Sequence, residues 1–466
     1  MSQALLRINE NRYGHPGVNP SRRPSFLRFL LRYPIFLLAF GPPLFRSSAI
    51  DATRGLIDFW SFIQVGLLSS IALRAILRLA FSQAVFLPRQ IRSVLKYWFF
   101  LGIIYLGSVM YSPSRLVSMA YSGLYFLSFA CVVEFVVDIY RTPPNWMQCL
   151  LHLRLIALLL LSLDLIVLYF NPKLVIGNLG EAGLSFGGGL VGPTPLICPM
   201  IAIISAYAFQ RSLEPRGRSV FLFLIGLAGS LGTQSRGCGL ALLATLAILA
   251  IRWAMAGVRT AYLIISGFMA FVLIFGVALG GVGGGSLWRI VNKGQNAEGI
   301  ATGSGRTEIW QFVLQYCLKH PLGMGYVAGF RMIFRDYFAV GLLLTPASIG
   351  NAHNSHIQVL ADAGWLALAI YLAMMTKILR LTWRFKIERP YSRIGSDSLP
   401  REALECGMFM LVFCFLEGID TSVFSVPLTA SFYWQNIIIA MILGISARML
   451  ANSRSRHFDP TCEFPV

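Results

Sequence analysis

Apolar runs of roughly 20 residues recur along almost the whole chain, each long enough to cross about 30 Å of hydrocarbon as a helix. Inside lipid no water replaces a missing hydrogen bond, so a spanning chain must close its backbone bonds as helices or as a sealed barrel. A barrel would show alternating segments of about ten residues, and the sequence does not. The chain therefore reads as an all-α polytopic membrane protein. Composition agrees: 13% of its 466 residues are charged, where a soluble domain carries about 25%.

About twelve spans are expected, at 27–45, 56–73, 97–112, 116–136, 150–170, 195–210, 219–234, 237–255, 260–281, 357–376, 405–424 and 431–449. Residues 1–26 and 450–466 read as cytoplasmic tails, the first of them disordered and without a cleavage site. That leaves spans one to nine over 27–281, a long extracytoplasmic loop over 282–356 and spans ten to twelve over 357–449.

Net charge is +19, but its placement argues against nucleic acid as a partner. With the N-terminus inside, the tails and cytoplasmic loops hold 28 of the 39 basic residues, among them Arg78, Arg154, Arg252 and Lys377. Such asymmetry orients a membrane protein in its bilayer. The eight cysteines are scattered, and only Cys317 lies well inside the long loop, so neither a disulfide framework nor zinc spacing is visible.

The long loop is where ionisable groups gather, with Arg306, His320, His353 and His356 in one stretch. Ile309, Phe312, Val313 and Tyr316 recur at helical spacing and predict an amphipathic helix over 306–320. Ser304 and Gly305 precede it in capping positions, and Pro321 ends it. Residues 323–350 show no clear period. Glycines cluster at 183–193 and 280–285, as hinges or as places for close approach.

Arg236 falls between the seventh and eighth spans, which leave almost no loop between them. A cation there needs water or a partner, or it snorkels to lipid phosphate. Arg306 opens the amphipathic helix, where a guanidinium and free N–H groups suit a phosphate, although a solvated first-turn arginine is equally ordinary. His353 and His356 stand one helical turn apart. They are open to three readings: metal ligands, a general base for a sugar hydroxyl, or structural histidines at a helix start. Glu417 and Asp420 lie late in the eleventh span, and no carboxylate pair of the glycosidase kind is evident.

Three pieces of sequence resemble the O-antigen ligase and polysaccharide polymerase family. They are Ser235-Arg236-Gly237; Ser304-Gly305-Arg306-Thr307-Glu308-Ile309-Trp310 leading into His320-Pro321-Leu322-Gly323-Met324-Gly325; and His353-Asn354 followed by Gly364. Two features depart from the family pattern: Trp365-Leu366-Ala367 follows Gly364 in place of a second glycine, and Gly192-Pro193-Thr194-Pro195 lacks an asparagine.

The resemblance implies an inverting glycosyltransferase of the bacterial inner membrane. Its donor would be a polyprenyl-diphosphate-linked glycan, with no metal ion or other cofactor. Arg236 and Arg306 would grip the diphosphate and His353 would act as the base. Asn354, His356 and His320 complete the expected substrate-binding set. Expected partners are the lipid-linked glycan, a glycan acceptor, the bilayer, a chain-length regulator and other polysaccharide export proteins. The family spans two reactions, polymerisation of repeat units and ligation of a finished glycan to lipid A core or protein. A flippase is a third possibility, but it would place its ionisable groups at mid-membrane and show repeat symmetry.

Overall fold

Pro34 lacks the N–H that a continuing helix would need, and the chain changes form there. In the unit Met1–Pro34, Phe26–Arg32 is a short helix (α1), with the Phe29 ring 5.3 Å from Tyr33. A 3₁₀ helix, Pro34–Ala39, follows in sequence. The span expected at 27–45 is thus, in its described part, two short pieces in place of one continuous helix. The structure, a computed structural model, describes residues 26–39, 59–81, 86–142, 146–170, 194–210, 213–232, 236–255, 306–330, 332–333, 352, 354–383, 398–419 and 430–457. Among the described residues every regular element is helical.

The unit Ile35–Val466 holds the remaining helices. These are α2 (Phe59–Phe81), α3 (Arg89–Gly107), α4 (Arg115–Arg141), α5 (Trp146–Phe170), α6 (Thr194–Gln210) and α7 (Arg216–Gly232). They continue as α8 (Arg236–Met255), α9 (Arg306–Lys319), α10 (Ser355–Trp383), α11 (Ser398–Glu417) and α12 (Ala430–His457). The spans expected between 56 and 255 and between 357 and 449 fall on these helices. The span at 260–281 and much of the 282–356 loop lie outside the described residues.

Among the described residues six helical stretches are long and apolar enough to cross a membrane: Arg89–Met110, Arg115–Arg141, Gln148–Ile166, Gly237–Met255, Ser355–Trp383 and Ser431–Ala451. The last is the least apolar of the six and the most enclosed, with 78% of its window buried. Protein, not lipid, surrounds it, so α12 tolerates Gln435, Asn436 and Ser446 among its buried residues. In α3 the outward residues are Phe99, Phe100, Ile103 and Leu106, side chains suited to lipid tails. α12 packs on α4 and α11, α3 on α10, and α6 on α7. The α6–α7 approach is close because Gly226 has no side chain: a Cβ there would come 2.6 Å from Ala202 N.

Among the described residues the ion pairs lie toward one end of this bundle. Arg78 is bonded to Glu134 and, at 2.8 Å, to Asp138. Arg252 pairs with Glu405 at 3.0 Å and lies over the Trp383 ring. Lys377 donates to Ser93 Oγ at 2.8 Å, so α3 and α10 run in opposite directions. Arg154 reaches Glu214 through both guanidinium nitrogens, at 2.7 and 2.6 Å. Burial pushes the Glu214 carboxyl up, but hydrogen bonds from Arg154 and Ser219 and the charges of Arg154 and Arg218 outweigh it and hold the group below its usual value.

Candidate functional site

At the opposite end, α9 lies along the bundle with one face buried. Ile309, Phe312, Val313 and Cys317 join Met324, Phe330, Ala352, Leu360 and Ala361 in one apolar cluster. The helix forms where the 3.6-residue period predicted it, and its outward face carries Thr307 and Glu308. Burial, with the Asp362 charge nearby, pushes the Cys317 thiol up to about 12, and its Sγ lies 3.5 Å from the Leu360 carbonyl. His320 follows the last turn, exposed, its ring 4.4 Å from that of Tyr316.

The His320-Pro321-Leu322-Gly323-Met324-Gly325 turn then docks into a break in α10. Ala363 and Gly364 have non-helical backbone angles, so α10 is two helices, one up to Asp362 and one from Trp365. The carbonyls and N–H groups freed by that break are taken up by the turn. Met324 N–H donates to the Ala361 carbonyl (2.6 Å), Gly325 N–H to the Asp362 carbonyl (3.1 Å), and Trp365 N–H to the Pro321 carbonyl (3.1 Å). Trp365 Nε1 adds a bond to the Cys317 carbonyl at 3.1 Å. Broken helices survive at membrane depth only when protein satisfies the backbone in this way. The expected tenth span at 357–376 is therefore interrupted in its first half, because glycine permits a φ of +77° at residue 364.

Residues 323–330, which carry no sequence period, are buried throughout. Tyr326 is fixed at both backbone groups by two serines, Ser108 just after α3 and Ser118 at the start of α4. Its N–H donates to Ser108 Oγ (2.9 Å) and its carbonyl accepts from Ser118 Oγ (2.7 Å). Its ring stacks on Tyr105 at 4.0 Å. The Tyr111 hydroxyl donates to the Leu322 carbonyl at 2.5 Å. Val327, a β-branched residue, is held at a φ of 58°, a costly angle for such a side chain. Its N–H donates to Asp362 Oδ1 at 3.0 Å.

Asp362 is fully buried and organises the region. The same Oδ1 accepts from Gln358 Nε2 at 2.9 Å, while Gln358 Oε1 accepts the Ala352 N–H at 2.7 Å. Trp310 Nε1, from α9, donates to the Ala352 carbonyl at 2.9 Å. Next to it, Asn354 caps α10: its Oδ1 accepts the N–H groups of His356 (2.9 Å) and Ile357 (3.0 Å), and its Nδ2 donates to the Ile419 carbonyl (3.0 Å). An asparagine suits that N-cap position. Ser355 N–H donates to the Gly418 carbonyl at 2.6 Å, fastening the start of α10 to the end of α11.

Asn354 is buried and spends its carboxamide on backbone groups. His356 is half-buried, its ring 4.7 Å from Phe415 and 5.7 Å from Tyr371. His320 is exposed. Arg306 is the first residue of α9, one turn before Trp310. Arg236 is the first residue of α8. Because Arg252, late in α8, pairs with Glu405, early in α11, those two helices are antiparallel. The first residue of α8 thus stands at the end where Gly418 and Ile419 meet Ser355 and Asn354. His353 lies outside the described residues, but Ala352 and Asn354 on either side of it are both anchored. Among the described residues no group of three His, Cys, Asp or Glu side chains is placed to hold a metal ion.

Sequence reasoning missed Asp362, Gln358 and the serines Ser108 and Ser118. The one signal for Asp362 was a carboxylate in an otherwise apolar run. No curated protein matches the chain. Residues 221–372 match the family model described as O-antigen ligase, and over that stretch the resemblance carried by the three sequence motifs holds.

Proposed function

We propose that the protein is an inverting glycosyltransferase of the bacterial inner membrane that polymerises polyprenyl-diphosphate-linked glycan repeat units on the outer face. The observation that carries this is the family match, because residues 221–372 take in Arg236, Arg306 and His353 together. Supporting it, positions 236 and 306 and the residues flanking 353 come to one end of the bundle, opposite the end rich in ion pairs. A basic end facing the cytoplasm would leave the motif end outside.

In this reaction His353 takes the proton from the acceptor hydroxyl as that oxygen bonds to the anomeric carbon. The bond from that carbon to the donor phosphate breaks with inversion, and polyprenyl diphosphate leaves. Negative charge grows on the leaving group, and the guanidinium groups of Arg236 and Arg306 stabilise it without a metal ion. His320 stands exposed for a glycan contact. Asn354 and His356 contribute by shaping the chain beside His353. A chain-length regulator and other polysaccharide export proteins are the protein partners this activity calls for.

A second reading, ligation of a finished glycan to lipid A core or protein, is favoured by the description of the matched family itself. Both readings use one donor and one base. Purified protein in liposomes, given polyprenyl-diphosphate glycan and a chelator, separates them. Extension of the lipid-linked glycan by wild type and not by His353→Ala supports polymerisation. Turnover only after lipid A core or protein is added supports ligation. No turnover with any acceptor removes the glycosyltransferase reading.

A further inference from the structure

The Ala352 carbonyl belongs to the peptide bond that joins Ala352 to His353, and it accepts the Trp310 indole N–H at 2.9 Å. The N–H of the same Ala352 is bound by Gln358 Oε1 at 2.7 Å. Gln358 in turn is fixed by Asp362, which also holds Val327. Ala352 is fully buried, and Trp310 packs beside it on the apolar cluster of α9 and α10. One residue on from His353, Asn354 is tied to α10 and to Ile419. Trp310 stands four residues after Arg306 on α9, about one helical turn.

Resting on the glycosyltransferase reading above, we propose that Trp310 is a positioning residue for the transfer. Its N–H fixes the peptide bond that carries the base and locks it in register with the helix that Arg306 opens. A base and a charge clamp must meet the same donor, and these two lie on segments far apart in sequence. The far end of α9 is tied to α10 by the bond from Trp365 Nε1 to the Cys317 carbonyl, but near the base the apolar cluster alone would permit small slides. The Trp310–Ala352 hydrogen bond is directional and ties those two segments at the residue next to the base.

The test is a comparison of Trp310→Phe with wild type in the reconstituted reaction. Phenylalanine keeps an aromatic ring in the cluster and removes the donor. We expect kcat to fall about 10- to 100-fold, the loss that follows when a reacting group is misplaced by about an ångström. KM for the lipid-linked donor should stay within about threefold, because binding by the arginines is untouched. Benzothienylalanine at position 310, which keeps the indole shape and replaces the N–H by sulfur, should reproduce the kcat loss with an unchanged melting temperature.

Wild-type kcat with the analogue, or a loss confined to KM, overturns the proposal. His353→Ala is measured beside them. If it retains activity, the base assignment falls and this proposal with it. If it is inactive while both position-310 variants turn over normally, only the positioning role is lost.

Discussion

Gly364 presses against the carbonyl of Pro321, which accepts the Trp365 N–H at 3.1 Å. A Cβ on Gly364 would collide with that carbonyl, and the residue holds a φ of +77°. The contact joins the turn after α9 to the break in α10, so the second and third sequence motifs form one surface.

Gly364→Ala should therefore open this junction. Backbone strain alone costs about 1–3 kcal/mol at such angles, and the collision adds to it. The readout is Cys317, whose buried thiol is held near 12 and should react slowly with a hydrophilic maleimide in the folded protein. We expect labelling of Cys317 to accelerate in the variant, in a background where the other cysteines are replaced. Unchanged labelling and melting would show that the junction is not under this constraint.

Asp362 accepts hydrogen bonds from Val327 and Gln358 inside the protein. Asp362→Leu leaves both donors unsatisfied, at about 1–3 kcal/mol each. Asp362→Asn retains an acceptor oxygen and should cost less. The order of melting temperatures in detergent should be wild type, then Asn, then Leu.

Glu214 sets a pH dependence. Its folded carboxyl is held below the usual range, so its stabilising contribution is complete above the unfolded value of about 4.3. It is lost as pH falls through the folded value, when protonation strips the buried Arg154 of its counter-charge. Glu214→Gln should flatten the acid limb of the stability curve. At neutral pH it should destabilise by about 3–5 kcal/mol, the scale of breaking a buried pair.

Arg236→Lys and Arg306→Lys keep the charge and discard the planar fork. If both arginines hold the diphosphate, each variant should lower kcat by about 10- to 1000-fold, the range for removing a donor to a developing anion. Turnover at the wild-type rate in either lysine variant would remove that residue from the clamp.

Much of the fold was legible along the chain because a lipid environment forces it. Hydropathy located the helices from α2 to α8 and from α10 to α12, and periodicity located α9 to within a residue. The break at Ala363–Gly364 escaped notice because alanine and glycine are as apolar as the helix around them. Asp362 escaped notice because its role follows from a turn about forty residues earlier in the chain. The serines Ser108 and Ser118 gave no local hint that they hold Tyr326, since a hydroxyl near a turn is ordinary.

The sequence by itself determined the membrane class, the positions of most of the described helices and the three motifs that point to a lipid-linked glycan chemistry. Those follow from terms summed along the chain: apolar length, period, charge placement and short patterns of residue type. Only the tertiary structure decided that Trp310 holds the peptide before His353, that Asp362 ties Gln358 to Val327, and that α10 is broken to receive the turn after α9. These are directional hydrogen bonds between segments remote in sequence, and their partners are fixed by packing in three dimensions.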